Sequence, residues 1–449
     1  MELTKDKGFF KNFFSLYVMI VLQNVIILGV NLADNIMVGS YNEISLSGVS
    51  AVNQIQFVFQ QITMGLSDAL VVNASQYWGQ KRTFPVKSLA AGALTVGIGV
   101  GAFLFIAATF FPRQMVGIFT PSKAIIDEGV KYLGIIKYTY LVFAVTNLLL
   151  ALLRAVETVR VSFYISIVTF VVNCSINYVL IDGKFGAPEM GVRGAAIGTL
   201  AARILELIIV ILYLAFKDKK LHLKLAELLH PEKPYYTDYF KRFGYFVTVA
   251  AMFGVSTALQ TVILGHLNDS AIAANSVAST LFQVLKVASV GAASATAVII
   301  GKTIGKGDTH KLKGYVNTLQ LMFVGIGLIT SALLFVLRFP ILALYDLEPA
   351  TKAMAEQFIL VLCVTCIGTS YQMPVNIGII RGGGDSKFVF INDLISIWGI
   401  VLPTSFLAAF VWNLDPYIIV FLLNADQIFK CGAAFFRCQS YKWIKKLTR

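Results

Sequence analysis

Asp34 lies near the end of a long apolar run, in the stretch ILGVNLADNIMVG that spans Ile27–Gly39. A carboxylate at the centre of a membrane helix costs about 2.5–3.5 kcal/mol to insert, so such a residue has a task unless it reaches the water interface. An embedded acid can carry a proton, hold a cation or answer a fixed positive charge. Two amides, Asn173 and Asn177, stand four residues apart in a later run and therefore share one helical face. Carboxamides can hydrogen-bond a protonated acid or offer oxygens to a bare cation. They also serve as ordinary interhelical bonds, which average about 0.6 kcal/mol in membranes.

Four further groups have the right types for a binding cleft. Arg203 and Glu206 stand at i, i+3 in the sixth run, close enough for a structural ion pair. Lys286 sits mid-way along the eighth run with no acid one turn away, so it snorkels, pairs at a distance or lines a cleft. The second run carries NQIQFVFQQ (Asn53–Gln61), where amides interleave with aromatics. Gln54, Phe57 and Gln61 are substrate-pocket candidates there, because adaptable pockets need apolar area with a few polar groups. Core packing explains Phe57 and Phe59 equally well. Asp68, further along the same run, reads as structural.

Other constellations lead nowhere. VIIGKTIGKGD contains Gly-Lys-Thr, but Thr296 occupies the place of the first glycine of a phosphate-binding loop. RGGGD (Arg381–Asp385) lacks a preceding strand. Cys363 and Cys366 form a C-x-x-C inside an apolar segment, where two small apolar residues are the expectation rather than redox or metal chemistry. The four histidines show no metal-ligand spacing, and no H-E-x-x-H motif is present. Neither a metal nor a cofactor is expected, and any energy source is an ion gradient.

The elements that position these residues follow from composition. The chain has 449 residues, 57% hydrophobic and 14% charged, against about 25% charged in soluble domains. About twelve apolar runs are long enough to cross roughly 30 Å of hydrocarbon. They lie near 13–37, 47–76, 86–111, 130–153, 161–181, 191–216, 243–265, 273–300, 314–337, 353–379, 388–411 and 416–436. These lengths predict an all-α integral membrane protein, since barrel strands need only about ten residues of alternating polarity. The first run is too long for a cleavable signal peptide and acts as its own insertion signal. If the amino terminus is inside, 26 of the 37 lysines and arginines fall on the inner side and seven on the outer. Both termini are therefore expected in the cytoplasm of a plasma-membrane protein. The net charge of +13 is a topology signal, not a nucleic-acid footprint.

The chain also repeats itself. A shift of 226 residues lays VGSYNEIS (Val38–Ser45) over LGHLNDSA (Leu264–Ala271), Gly65 over Gly291, Gly79 over Gly305 and Ile118-Phe119 over Leu344-Tyr345. One residue later in register, LRAVETVRVSF (Leu153–Phe163) matches IRGGGDSKFVF (Ile380–Phe390). Six crossings return the chain to its starting side, so the halves are parallel repeats about an axis along the membrane normal. The expected division is an amino-terminal six-helix lobe (1–216), a cytoplasmic linker (217–242) and a carboxy-terminal six-helix lobe (243–449). Two such lobes around a central cleft form an architecture for alternating access.

The order of NLADNIMVG, SGVSAVNQI, the LRAVET turn, VVNCSINYVLIDGKFGAPEMGVRGAAIGT, GHLNDSAIAANSVAS and IIRGGGDSKF resembles the multidrug and toxic compound extrusion (MATE) family along nearly the whole chain. The resemblance implies a cation-coupled antiporter, driven by protons or sodium, that exports amphipathic and often cationic organic compounds. It places Asp34 at the family's first-helix acid. The repeat counterpart of Asp34 is Gln260, a further substrate-pocket candidate with Lys286; it cannot ionise, so coupling is expected in the amino-terminal half alone. Asn173 and Asn177 resemble a family Asn-x-x-x-Asp pattern with Asn at its second position, which weakens a sodium site by one hard, charged ligand. AAMFGVSTALQ and TSYQMPVNIGI lack the acids that some members carry in the other lobe. The expected partners are small organic molecules and the bilayer, with no nucleic acid and a monomeric chain. The alternatives are a lipid-linked oligosaccharide flippase of the same wider superfamily, with Arg203 and Lys286 facing an anionic headgroup, and an integral membrane enzyme. About twelve rather than fourteen helices and the Asp34 motif favour the exporter, and no catalytic constellation supports the enzyme.

Overall fold

Hydrocarbon offers the backbone no hydrogen-bond partners, so each crossing must satisfy its own peptide groups. The computed structural model, which describes residues 3–448 except 230, 231, 266, 268 and 345–347, does this with helices throughout. Asn268 and Tyr345 of the repeat and Pro231 of the linker lie outside the described residues. In chain order the helices are α1 (Lys7–Tyr41), α2 (Glu43–Gly79), α3 (Thr83–Phe110), α4 (Pro112–Gly117), α5 (Lys123–Ile136), α6 (Tyr138–Ala155), α7 (Val159–Leu180) and α8 (Val192–Leu212). They continue as α9 (Lys233–Gly265), α10 (Asp269–Lys306), α11 (Thr309–Leu344), α12 (Pro349–Met373), α13 (Ser386–Asp393), α14 (Leu402–Phe410), α15 (Pro416–Leu423) and α16 (Asp426–Gln439). Twelve segments among the described residues are long and apolar enough to cross a membrane. Large side chains such as Phe103 (72% exposed) and Phe110 (71%) cover their outer faces, as a lipid solvent permits.

Several crossings are less regular than their hydropathy suggests. The run expected at 130–153 is divided between α5 and α6 at Lys137, whose ammonium lies over the Phe105 and Tyr138 rings at 5.7 and 5.5 Å. The tenth crossing continues from α12 through wider π-type turns at Pro374–Arg381. Pro374 has no N–H to give the preceding turn, so the ladder opens there. The eleventh widens similarly over Leu394–Val401, just before Pro403.

The chain forms two compact units, Leu22–Ala250 and Met1–Val21 with Ala251–Arg449. These are the amino-terminal and carboxy-terminal lobes below. The first half of α1 and residues 243–250 of α9 thus belong to the unit opposite to the one that sequence order suggests, and the expected linker residues 217–242 group with the amino-terminal unit. In the amino-terminal lobe α2 packs on α3, α5 and α6, and α8 packs on α5, α6 and α7. Its core includes Val52, Phe59, Leu133, Tyr140 and Ala196. In the carboxy-terminal lobe α12 packs on α10, α11, α15 and α16 around Phe358, Ile359, Leu362 and Ile419.

Candidate functional site: an acid among amides

The second half of α1 carries Asp34, and α7 presents Asn173 and Asn177 on one face. The two amides are 1% and 0% exposed. Asn177 Nδ2 donates to Asp34 Oδ1 at 2.6 Å, and Asn173 Nδ2 donates to Thr199 Oγ1 of α8 at 3.4 Å. The three residues that spacing singled out therefore meet. Among the described residues, the Oδ1 atoms of both amides accept no hydrogen bond. Buried carbonyl oxygens are rarely left so, and here two of them flank one carboxylate.

α8 closes the site by approaching α7 very closely. Gly194 and Gly198 form a G-x-x-x-G pair, which lets membrane helices touch backbone to backbone. A Cβ on Gly194 would stand 2.7 Å from the Leu180 carbonyl, and one on Gly198 would collide with the Asn177 amide. Gly198 therefore leaves the space that Asn177 fills. Arg203, two turns from Gly194 along α8, pairs with Glu206 at 2.9 Å and lies 4.9 Å from the Phe143 ring. Its guanidinium also acts through space on Asp34. The expected i, i+3 ion pair is present and doubles as a fixed positive charge for the site. Thr199 and the enclosed Tyr132 of α5 complete this polar layer. Sequence reading passed over Gly198, Thr199 and Tyr132, although GAAIGT carried the G-x-x-x-G signal. A cavity of about 170 Å³ lined by Met37, Ser40, Asn177, Tyr178, Ile181 and Asp182 adjoins the amide.

The remaining candidates are dispersed. Gln54 is exposed and Phe57 and Gln61 are half-buried on α2, whereas Phe59 packs in the core 5.2 Å from the Tyr140 ring. Gln260 is half-buried on α9. Asp68 and Arg154 act on each other within the amino-terminal lobe. Cys363 and Cys366 are unbridged and buried, and Cys366 Sγ donates to Thr330 Oγ1 at 3.5 Å. Lys286 lies 5.5 Å from the Phe253 ring and feels both Asp426 and Lys430.

Those last two residues, an i, i+4 pair on α16, belong to a cluster completed by groups from other crossings. Lys430 of α16 bridges Asp393 at 2.7 Å and Asp426 at 3.0 Å, deep in the carboxy-terminal lobe. Gln427 Nε2 donates to Asp426 at 2.8 Å, Gln372 Nε2 to Gln427 Oε1 at 2.8 Å, and Asn376 Nδ2 to Gln372 Oε1 at 3.0 Å. Among the described residues no group of three or more histidines, cysteines or carboxylates is arranged to hold a metal ion.

Comparison with known proteins adds four findings. The MatE family model matches residues 20–179 and 245–407, which covers both repeats. The chain is 26% identical over 436 residues to a probable multidrug resistance protein NorM of Thermotoga maritima, covering 95% of this chain and 92% of that one. It is 24% identical to multidrug resistance protein NorM of Vibrio cholerae, over 88% and 86% of the two chains. The crystal structure of a Vibrio cholerae MATE transporter in the bent form superposes with a TM-score of 0.82 at 17% identity, over 96% and 97% of the two chains.

Proposed function

The chain belongs to the MatE family of multidrug and toxic compound extrusion transporters, and from that premise we propose that it is a proton-driven exporter of amphipathic organic compounds. It is a multi-pass membrane transporter and not an enzyme. The observation that carries the coupling is the bond between Asp34 and Asn177, beside two amide oxygens that accept no hydrogen bond among the described residues.

The logic is one of hydrogen-bond valence. An ionised carboxylate only accepts, and Asn177 supplies it with a donor. A protonated carboxyl gains an O–H, and the free oxygens of Asn173 and Asn177 are the acceptors within its layer. Protonation thus changes which group α1 bonds on α7 and favours a different arrangement of the two helices. Neutralised and drawn toward the amides, α1 narrows the substrate space, and return of the proton to the cytoplasm resets it. One charge moving through about 100 mV supplies about 2.3 kcal/mol, enough for a concentration ratio of a few tens. A proton suits this site better than sodium. One carboxylate and two amide oxygens fall short of the six or so hard ligands that a bare cation demands, and Arg203 repels a second positive charge.

Efflux of a fluorescent organic cation from vesicles with separately imposed gradients tests the reading. Efflux should follow the proton gradient at zero sodium gradient, and Asn173→Ala or Asn177→Ala should displace its pH profile more than drug affinity. Sodium-driven efflux at equal pH, or pH profiles unchanged in both variants, would defeat it. Binding of a polyprenyl lipid instead of the cation would favour the flippase reading.

A further inference from the structure

Lys219-Lys220-Leu221 and Lys445-Lys446-Leu447 stand 226 residues apart, the displacement that lays Gln260 over Asp34. Each triplet follows the sixth crossing of its half, and both lie outside the residues matched by the family model. In each, both lysines are exposed and the leucine is buried, at 1% for Leu221 and 5% for Leu447.

Both triplets reach the same turn. In the amino-terminal lobe Lys220 Nζ donates to the carbonyls of Val156 and Glu157 at 2.6 and 2.9 Å, in the turn between α6 and α7. Trp78 Nε1 donates to Glu157 Oε2 at 3.4 Å, and Lys220 lies over the same indole at 5.8 Å. Asp218 accepts from the N–H groups of Lys220 and Leu221 at 3.0 Å each, which holds the strand of chain that carries them. In the carboxy-terminal lobe the Lys445 N–H donates to Gly383 O at 2.9 Å, and its ammonium pairs with Asp385 at 2.6 Å. Arg437 holds the same carboxylate, and Trp443 is fully buried with Nε1 donating to Cys438 O at 2.8 Å.

The turns themselves correspond, at a displacement of 227. Thr158 N–H bonds Leu153 O and Asp385 N–H bonds Ile380 O, at 2.8 and 3.0 Å; Glu157 bonds Arg154 and Gly384 bonds Arg381, at 3.0 and 2.9 Å. Glu157 and Gly384 both take positive φ, +57° and +107°. Glycine adopts that conformation freely, whereas glutamate is strained in it. A Cβ on Gly383 would strike the Trp443 ring, and one on Gly384 would stand 2.9 Å from Leu447. The glycines of RGGGD are therefore shaped to receive the chain's own tail. One lysine on surface carbonyls contributes little by itself. Both halves bring a lysine of this triplet to the same turn, Lys220 by its ammonium on two carbonyls and Lys445 by its backbone N–H and an ion pair, one position apart within the triplet; a bland surface contact does not explain that recurrence.

We infer that the Lys-Lys-Leu segment is a repeated clamp, with Lys220 and Lys445 as positioning residues that fix the turn between the fourth and fifth crossings of their own lobe. The helix leaving each turn then enters the membrane at a set height: α7 with Asn173 and Asn177 in one lobe, α13 with Asp393 in the other. The inference rests on transport as such and not on which ion drives it.

Hydrogen exchange of the purified full chain, read by mass spectrometry beside vesicle efflux, tests it. Lys220→Met should speed exchange across residues 156–160 about ten-fold and leave residues 383–387 unchanged, and Lys445→Met should do the reverse. Each should lower the maximal efflux rate several-fold at unchanged KM, and the matching Lys→Arg variant should restore both readouts. Unchanged exchange in both turns, acceleration spread over the whole chain, or local loosening with wild-type efflux would each overturn the clamp.

Discussion

Asp34 in the amino-terminal lobe and Asp393 with Asp426 in the carboxy-terminal lobe are membrane-embedded acids with opposite surroundings. Asp34 is met by an amide donor and two idle amide oxygens, with Arg203 at a distance and committed to Glu206. Asp393 and Asp426 share the ammonium of Lys430 in direct contact, backed by a chain of amides that all donate toward the acid. The first acid can change its charge without breaking an ion pair. The second group is two carboxylates on one tethered cation, and loss of that cation would leave both acids buried without their partner. The two sites thus differ in what meets the acid: amides at Asp34, a shared ammonium at Asp393 and Asp426.

This contrast can be broken in four places. The largest effect is expected from Asp34→Asn, which should reduce gradient-driven efflux to that of vesicles without the protein. Gln260→Ala, at the repeat-equivalent position, should retain efflux and alter substrate range, and comparable efflux by Asp34→Asn and the wild type would reverse the assignment. Next is Lys430→Met. Removing one partner of a buried pair costs about 3–5 kcal/mol, so thermal unfolding in detergent should come at a clearly lower temperature. Adding Asp393→Asn and Asp426→Asn should recover most of the loss, because the unpaired charges are then gone.

A smaller effect is expected from Gly198→Ala, whose added methyl displaces the Asn177 amide. Overpacking of this kind costs about 1–3 kcal/mol. Efflux should fall with Gly198→Ala and fall little further when Asn177→Ala is combined with it, since both remove the same bond; additive losses would separate the two residues. The smallest effect concerns acid. Burial would raise the Asp385 carboxyl, but Lys445 and Arg437 overcome it and hold the group below the usual carboxylate range. A lowered value in the folded state means that this pair stabilises fully above the ordinary pKa of about 3.9 and is lost as pH falls through the lowered one. A nitroxide on Lys446→Cys should stay immobile down to about pH 4 and loosen below it.

Much of this molecule was legible in residue order. Twelve crossings and their repeat follow from hydropathy and from the 226-residue shift, since hydrocarbon imposes both length and helicity on any crossing segment. Asp34, Asn173, Asn177 and the Arg203–Glu206 pair were recognisable because a polar group in an apolar run has few reasons to be there. Spacing within one helix predicts which residues share a face, and that sufficed for Asn173 with Asn177 and for Arg203 with Glu206.

Contacts between helices distant in sequence are set by packing, and only the tertiary structure decided them. Asp393 stands more than thirty residues before Asp426 and Lys430, so no local period joins it to them, although those two share a face of α16 at i, i+4. The role of Gly198 depends on which helix lies against it, and that of RGGGD on a tail some sixty residues further along the chain. The exchange of the first half of α1 and residues 243–250 of α9 between the compact units was equally hidden, because hydropathy says where a segment crosses and not what it packs against. Sequence determined the solvent, the number of crossings and the positions where polar groups are costly. Packing decided which of those groups meet an opposite charge and which, like Asp34, meet amides.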